Sequence, residues 1–375
     1  MELLNVNIPS WSDLGHWIPE AVLMVTFLVT LLGDMIFRGR RPWVPFAIAV
    51  FGLVTAGSYA VAALGKPELA SGLTVMGDLV VVDGLAAFFR LLFIFTGLAV
   101  VLIAWTSEEI MGFRRENKGE FFALTVFLSA ASMVMAGAND LLMLFMSMEA
   151  VGLVSYVMAG YMRATLRSTE ASLKFVIFGG VSSALMLYGM SLLYGMTGAM
   201  SFAGIREGLM TDDISGLGLL VAVVLVLAGF TYKIAAVPFH YWCPDVYEGA
   251  PTPVSALFSV GPKAAGFALM IRFFYTTLAV GPDAMASAPL VAKINWPMLL
   301  AVISAATMSY GNFVALRQDN VKRMLAYSSI AHVGYLLMGF VLLTDAGLAA
   351  MVFYLGVYTL MNLGAFFFVA AVNNH

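Results

Sequence analysis

Apolar runs of about twenty residues alternate with short polar breaks along almost the whole chain, and about twenty is the length a helix needs to cross a bilayer core. The pattern predicts eleven spans, at roughly 19–37, 44–64, 82–105, 120–137, 140–162, 172–196, 216–237, 251–277, 297–315, 323–343 and 347–371. Alternating segments of about ten residues, the mark of a membrane β-barrel, do not occur. The expected fold class is all-α, a polytopic helical membrane protein. The first run begins near Pro19 and is long enough to span, so it does not read as a cleaved signal peptide.

Composition agrees with the pattern: 61% of the 375 residues are hydrophobic and 11% charged, against about a quarter charged in a soluble domain. A net charge of −3 argues against a nucleic-acid partner. The single cysteine, Cys243, excludes an internal disulfide, a four-cysteine iron–sulfur site and a cysteine-rich zinc site. No glycine-rich phosphate loop, nucleophile–base pair or metal cluster is visible. The chain is expected to carry no cofactor or metal, and no redox chemistry of its own.

Basic residues orient the spans. Arg38, Arg40, Arg41, Arg114, Arg115, Lys118, Arg163, Arg167, Lys174, Arg317, Lys322 and Arg323 fall on one side, twelve of the nineteen Lys and Arg. The opposite loops hold Lys66, Arg206 and Lys293, with Arg272 near a span end, and several acids: Glu68, Asp78, Asp212, Asp213 and Asp283. The N-terminus is therefore expected outside, with the Pro238–Ala250 turn in the cytoplasm or its organellar equivalent. No linker divides the chain, so 1–375 reads as one transmembrane domain: N-terminal helices in 1–118, a five-span unit in 119–278 and a partial unit in 295–375. Span four begins inside and span nine outside, so units starting there have opposite topology, as in inverted-repeat transporters. The second unit is incomplete, because the sequence stops at His375 after its third helix.

The stretch from Gly229 to Arg272 concentrates the unusual residues. Lys233 and Lys263 each lie inside an apolar run, and a lysine charge at mid-bilayer costs a few kcal/mol, about 2.5–3.5 on insertion scales. Lys263 is twelve residues into its span, about 18 Å deep, beyond the reach of snorkelling. Pro262 just before it is expected to loosen the helix and admit water. Lys233 precedes Pro238 by five residues, where a regular helix cannot continue; broken helices at membrane depth are tolerated where they line cavities. The alternative for Lys233 is an ordinary span end with the lysine snorkelling to the surface.

Glu149 lies nine residues past Asp140, about 13 Å along its helix. A buried carboxylate and a buried ammonium each set the other's proton affinity through their separation, the property a proton pump requires; the alternative is a static Glu–Lys pair locking helices together. His332, ten residues past Lys322, is placed to relay protons or simply to bond a serine such as Ser328 or Ser329. His240, Asp245 and Glu248 in the turn read either as a proton-uptake antenna or as helix caps. Asp34 is expected to form a surface pair with Arg38, and Arg90 to pair with Asp83 at the outer interface. Phe and Met are taken as lipid-facing and packing material.

PFHYWCPDVYEGAPTPVSALFSVGPKAAGFALMIR resembles the helix-seven-to-eight signature of the antiporter-like subunits of respiratory complex I, and DVYEGAPTPV resembles the subunit N type in particular. NVKRMLAYSSIAHVGYLLMG and YTLMNLGAFFFVAA are similar to later helices of the same type, and the resemblance runs from about Glu120 onward. It implies an antiporter-like bundle and proton translocation by a membrane-arm subunit of NADH:quinone oxidoreductase, a translocase. Glu149 matches the family's modulating glutamate, Lys233 the lysine on the broken seventh helix, Lys263 the central lysine of the eighth and His332 the polar axis in the tenth. It also implies K- and M-like membrane neighbours, NADH, FMN, iron–sulfur clusters and quinone held by partner subunits, and a bacterial inner-membrane location. Subunit N has fourteen helices, with a further lysine on a broken twelfth. The sequence is thus expected to be a fragment, a truncated product or one of two chains.

Two rival functions fit the same residues. One is a subunit of a multisubunit Na+/H+ antiporter or membrane-bound hydrogenase, which share the implied fold. The other is a scaffold that anchors neighbouring subunits without pumping.

Overall fold

A computed structural model of the chain describes residues 15–37, 41–66, 69, 72–112, 118–210, 214–278 and 294–374. Each expected span is a helix. In chain order they are α1 (Ile18–Phe37) and α2 (Trp43–Ala63); a hairpin of β1 (Leu73–Val75) and β2 (Val80–Val82); α3 (Gly84–Thr106), the short α4 (Glu108–Met111), α5 (Lys118–Gly137) and α6 (Leu141–Ala159). Then come α7 (Leu166–Thr197), the short α8 (Phe202–Leu209), α9 (Gly216–Ile234), the short α10 (Trp242–Gly249) and α11 (Thr252–Thr277). The last three are α12 (Trp296–Ala315), α13 (Val321–Val341) and α14 (Asp345–Asn373). Among the described residues eleven helices are long and apolar enough to span, and the chain is a multi-pass helical membrane protein.

The largest departure in a boundary is at α7, which starts at Leu166 rather than near 172. Its first turns hold Arg167, Ser168, Thr169 and Glu170, too polar to register as a span. They are helical because they dock: Ser168 and Ser172 donate to the carbonyls of Ala159 and Tyr156, 2.8 Å each. Those carbonyls belong to the last turn of α6, where intrahelical donors run out. The hairpin was not expected. Its antiparallel strands turn through Met76, Gly77 and Asp78, all at positive φ, and Asn139 pins it by donating from its backbone to the Leu79 carbonyl, 3.0 Å.

At the centre stands α11, every residue of whose apolar window is buried. It packs against α3, α5, α6, α9, α13 and α14. Around it α1, α2, α12 and α14 turn apolar side chains outward, among them Leu28, Phe51, Phe313 and Phe353, as helices facing lipid do.

Ion pairs differ from expectation at both ends of α1. Arg90 does not pair with Asp83; its Nε donates to Glu20 on α1, 2.6 Å away. Asp83 is the N-cap of α3, accepting from the Ala86 amide at 2.8 Å, and so sits at the helix tip, two turns from Arg90. There it takes a two-pronged contact from Arg272 of α11, at 2.9 and 2.8 Å, while Arg272 Nε donates to the Ala136 carbonyl, 2.7 Å. Asp34 is buried against Gly119 at the start of α5 rather than lying on the surface; Arg38 lies outside the described residues.

Candidate functional site

Helix α9 stops one residue after Lys233, and several of the backbone groups freed by the break find partners. Ala235 adopts the left-handed conformation, φ 61° and ψ 44°, which costs a non-glycine residue about 1–2 kcal/mol. In exchange Ala235 and Ala236 donate to the Tyr232 and Thr231 carbonyls, 3.1 and 2.7 Å, the paired closure common at helix ends. Trp242 Nε1 donates to the Tyr232 carbonyl at 3.0 Å, and the Val237 amide to Thr307 Oγ1 of α12 at 3.1 Å. What the sequence suggested as a turn over Pro238–Ala250 contains α10, with Pro244 in its first turn, where no intrahelical donor is needed. The Thr252 amide then opens α11 on the Glu109 carboxylate, 2.5 Å.

Lys233 does not snorkel. It is 6% exposed, and its Nζ donates to the Met148 carbonyl of α6 at 2.9 Å. Its stem lies on Gly266 of α11, where an added Cβ would come within 3.3 Å of Lys233 Cγ; only glycine leaves the helices this close. Glu149, next along α6, accepts a short hydrogen bond from Ser183 of α7. Among the described residues Glu149 and Lys233 make no contact ion pair within 4.0 Å; the lysine instead bonds the carbonyl of Met148, the residue before Glu149.

Lys263 is buried one turn from Gly266 on the same helix. Its Nζ donates to Ser329 Oγ of α13 at 2.5 Å, touches Cys243 Sγ at 3.7 Å and sits 5.3 Å from the Tyr247 ring centroid. A cation over a ring face is attracted by its quadrupole. Burial pushes the Cys243 thiol up against the pull of the Lys263 ammonium, so a neutral thiol faces the lysine. Ser329 in turn shares a 2.7 Å hydrogen bond with Tyr358 of α14, whose hydroxyl also approaches the Ser259 carbonyl at 3.2 Å. His332 bonds no serine: Ser329 is taken by Lys263, and His332 Nδ1 meets Tyr354 Oη at 2.6 Å. Its ring packs on Tyr358, centroids 5.2 Å apart. Lys263 and His332 are thus brought into one hydroxyl-lined cluster.

The three turn residues do not assemble. His240 is buried, its ring tilted against Tyr241 and edge-on to Tyr310 with centroids 4.3 and 4.5 Å away. Neither ring nitrogen has a hydrogen-bond partner; the Pro238 backbone is a polar neighbour short of a full bond. Burial lowers its pKa to about 4. Asp245 and Glu248 instead line a polar crevice of about 160 Å3 with Arg167, Lys174 and Arg323. Asp245 bonds Lys174 and Arg323 at 2.6 Å each, and Glu248 bonds Arg323 at 2.9 Å. Burial raises the Asp245 carboxyl, but Lys174 and Arg323 outweigh it and hold it below the usual carboxylate range. These acids tie α7, α10 and α13 together rather than capping helix ends.

Sequence reading missed Gly266, Ser183, Tyr247 and Tyr358, and assigned Ser329 to the wrong partner. One signal was available: Tyr354 and Tyr358 are four apart, as Ser329 and His332 are three apart, so each pair shares a helix face.

A family profile described as NADH:quinone oxidoreductase/Mrp antiporter, TM, matches residues 138–375. NADH-quinone oxidoreductase subunit N 2 of Chloroherpeton thalassium is 44% identical over 362 residues, 96% of this chain and 68% of its own length. The chain belongs to this family, in its subunit N branch. NADH-quinone oxidoreductase subunit N of Chlorobium chlorochromatii is 43% identical over 100% of this chain and 71% of its own. Among solved structures, a chain of respiratory complex I from Thermus thermophilus with bound aureothin superposes with a TM-score of 0.72 at 30% identity, over 93% of this chain and 69% of that one. A chain of the Mrp complex from Dietzia sp. DQ12-45-1b superposes at 0.74 with 22% identity, over 94% and 64%, and shows the fold alone. The chain is an antiporter-like membrane subunit of the complex I type.

Proposed function

We propose that this subunit translocates protons in the membrane arm of an NADH:quinone oxidoreductase, driven by redox chemistry in other subunits. One observation carries the reading: two buried lysines flank a helix break, Lys233 with its stem on Gly266, and Lys263 in a hydroxyl cluster that extends to His332. Protons arrive from the cytoplasm near α10 and load Lys233. They pass through water to Lys263, then by Ser329 and Tyr358 toward His332 and Tyr354. Glu149 sets the affinity of Lys233 by approaching or leaving it, and its present bond to Ser183 is the withdrawn position. His240, Asp245 and Glu248 stand on the uptake side; their burial and pairing favour a structural contribution there over an antenna.

The reading places the protein in a bacterial inner membrane, N-terminus outside, between K- and M-like neighbours, with NADH, FMN, iron–sulfur clusters and quinone held by partner subunits. It takes 119–278 as a five-helix repeat and 295–375 as part of its inverted counterpart. Lys233→Ala and Lys263→Ala, each introduced into the assembled complex, are expected to lower protons moved per electron while NADH oxidation by an artificial acceptor is retained. An unchanged ratio in both variants rejects the assignment.

A second reading, a subunit of a cation/proton antiporter, draws on the fold shared with the Mrp complex. It predicts transport that depends on sodium and proceeds without quinone. Loss of assembly alone, with normal stoichiometry in whatever complex forms, would favour a scaffold.

A further inference from the structure

Far from the lysines, α1 and α2 enclose a groove of about 450 Å3 lined by Val22, Val25, Val29, Ile48, Phe51 and Thr55. Its floor is the close approach of the two helices at Gly52, where any Cβ would strike Thr26. At the end where α1 begins, the groove meets a second cavity of about 300 Å3, and Ile18 lines both. The second cavity is mainly apolar, but Tyr59, Lys66 and Arg90 stand in its wall. Arg90 has Nε on Glu20 and Nη2 on the His16 carbonyl, 2.6 and 3.2 Å, and among the described residues no hydrogen bond from Nη1.

We infer that this paired groove and cavity is a binding site for one glycerophospholipid, an acyl chain in the α1–α2 groove and the phosphate beside Lys66 and Arg90. Depth supports the occupant. From Ile18 to Val29 the groove runs eleven residues down α1, about 16 Å, or half a hydrocarbon core of about 30 Å: one leaflet. Tyr59 lines the second cavity, at the level where such rings concentrate. A helix about 10–12 Å across would cover this groove without filling it, and would leave the charged cavity unanswered. The Glu20 charge is spent on Arg90, so the cation a phosphate would meet is chiefly Lys66.

The assembled complex in nanodiscs containing a phosphatidylglycerol or a phosphatidylcholine with a photoactivatable acyl chain tests this. Crosslinks are expected within 18–29 and 48–55. Thr55→Phe, which fills the groove, should abolish them for both lipids. Lys66→Glu should lower phosphatidylglycerol labelling at least about fivefold, the effect of about 1 kcal/mol per basic residue at a membrane surface. If phosphatidylcholine labelling falls equally, the phosphate is the group recognised; if it does not, the net anionic headgroup is. Labelling unaffected by both substitutions overturns the site. So does a complex in which this face is never labelled, which would mean that a partner subunit covers it. Should Thr55→Phe fail to assemble, the Lys66→Glu arm decides alone.

Discussion

Lys263 donates a 2.5 Å hydrogen bond to Ser329, joining α11 to α13 where neither side chain reaches solvent. The same hydroxyl is bonded to Tyr358, so Ser329 is the only atom-scale link between the central lysine and the α14 tyrosine among the described contacts. Hydrogen bonds to charged groups are worth about 1.5–3 kcal/mol. Ser329→Ala is expected to slow proton transfer through this cluster about tenfold, seen as a lower proton-to-electron ratio, and Tyr358→Phe to lower it by less, since Lys263 keeps its serine. Acidification of vesicles carrying the assembled complex measures both. Wild-type ratios in the two variants would remove the relay from the mechanism.

Gly266 offers a test that leaves every ionisable residue in place. A Cβ there would lie 2.8 Å from Ile234 Cγ2 and 3.3 Å from Lys233 Cγ, so Gly266→Ala must move the end of α9. Overpacking of this kind costs about 1–3 kcal/mol. The expected result is a lower thermal midpoint together with loss of pumping, and Gly261→Ala, whose Cβ meets only a leucine methyl at 3.5 Å, serves as the tolerant control.

The Asp83–Arg272 contact links α3 to α11 at the bundle end away from α10. Asp83 is about a quarter exposed while Arg272 is buried, so Asp83→Ala, which leaves the buried guanidinium without its carboxylate, should lower the thermal midpoint in detergent. Burial alone would raise the Asp83 carboxyl, but the Arg272 guanidinium overrides it and holds it below the usual range. A depressed folded-state value stabilises the fold above the unfolded value, about 3.9, and that contribution is lost as pH falls through the folded value. Wild type should lose stability on acidification below about pH 4, more steeply than Asp83→Ala does.

His240 acts in a different window. With burial lowering its pKa to about 4, from about 6.5 unfolded, its contribution is fully present above about 6.5 and is lost progressively as pH falls toward about 4. Hydrogen exchange over residues 235–250 is expected to accelerate across that interval in wild type and to stay flat in His240→Phe. Identical profiles would show that another group governs the break. At neutral pH the ring carries no charge, which is why it is a poor collector of protons.

The spans and the two lysines were legible because hydropathy is local. A run of about twenty apolar residues has few other uses, and a charge inside it is conspicuous in one dimension. The start of α7 was not legible, because its first turns are held by serines bonding to α6 rather than by lipid. The Arg90–Asp83 expectation failed on the same ground: proximity in sequence favoured a pair seven residues apart, whereas Asp83 found Arg272, 189 positions away.

Sequence by itself determined how often the chain crosses the bilayer, where α9 breaks and which buried residues are ionisable, since each follows from the cost of placing polar groups in hydrocarbon. Only tertiary structure decided who partners them. Lys233 reaches the Met148 carbonyl across 85 positions and Lys263 reaches Ser329 across 66. Such pairings depend on how helices rotate and approach, at Gly266 above all, and no periodicity along a single helix records that.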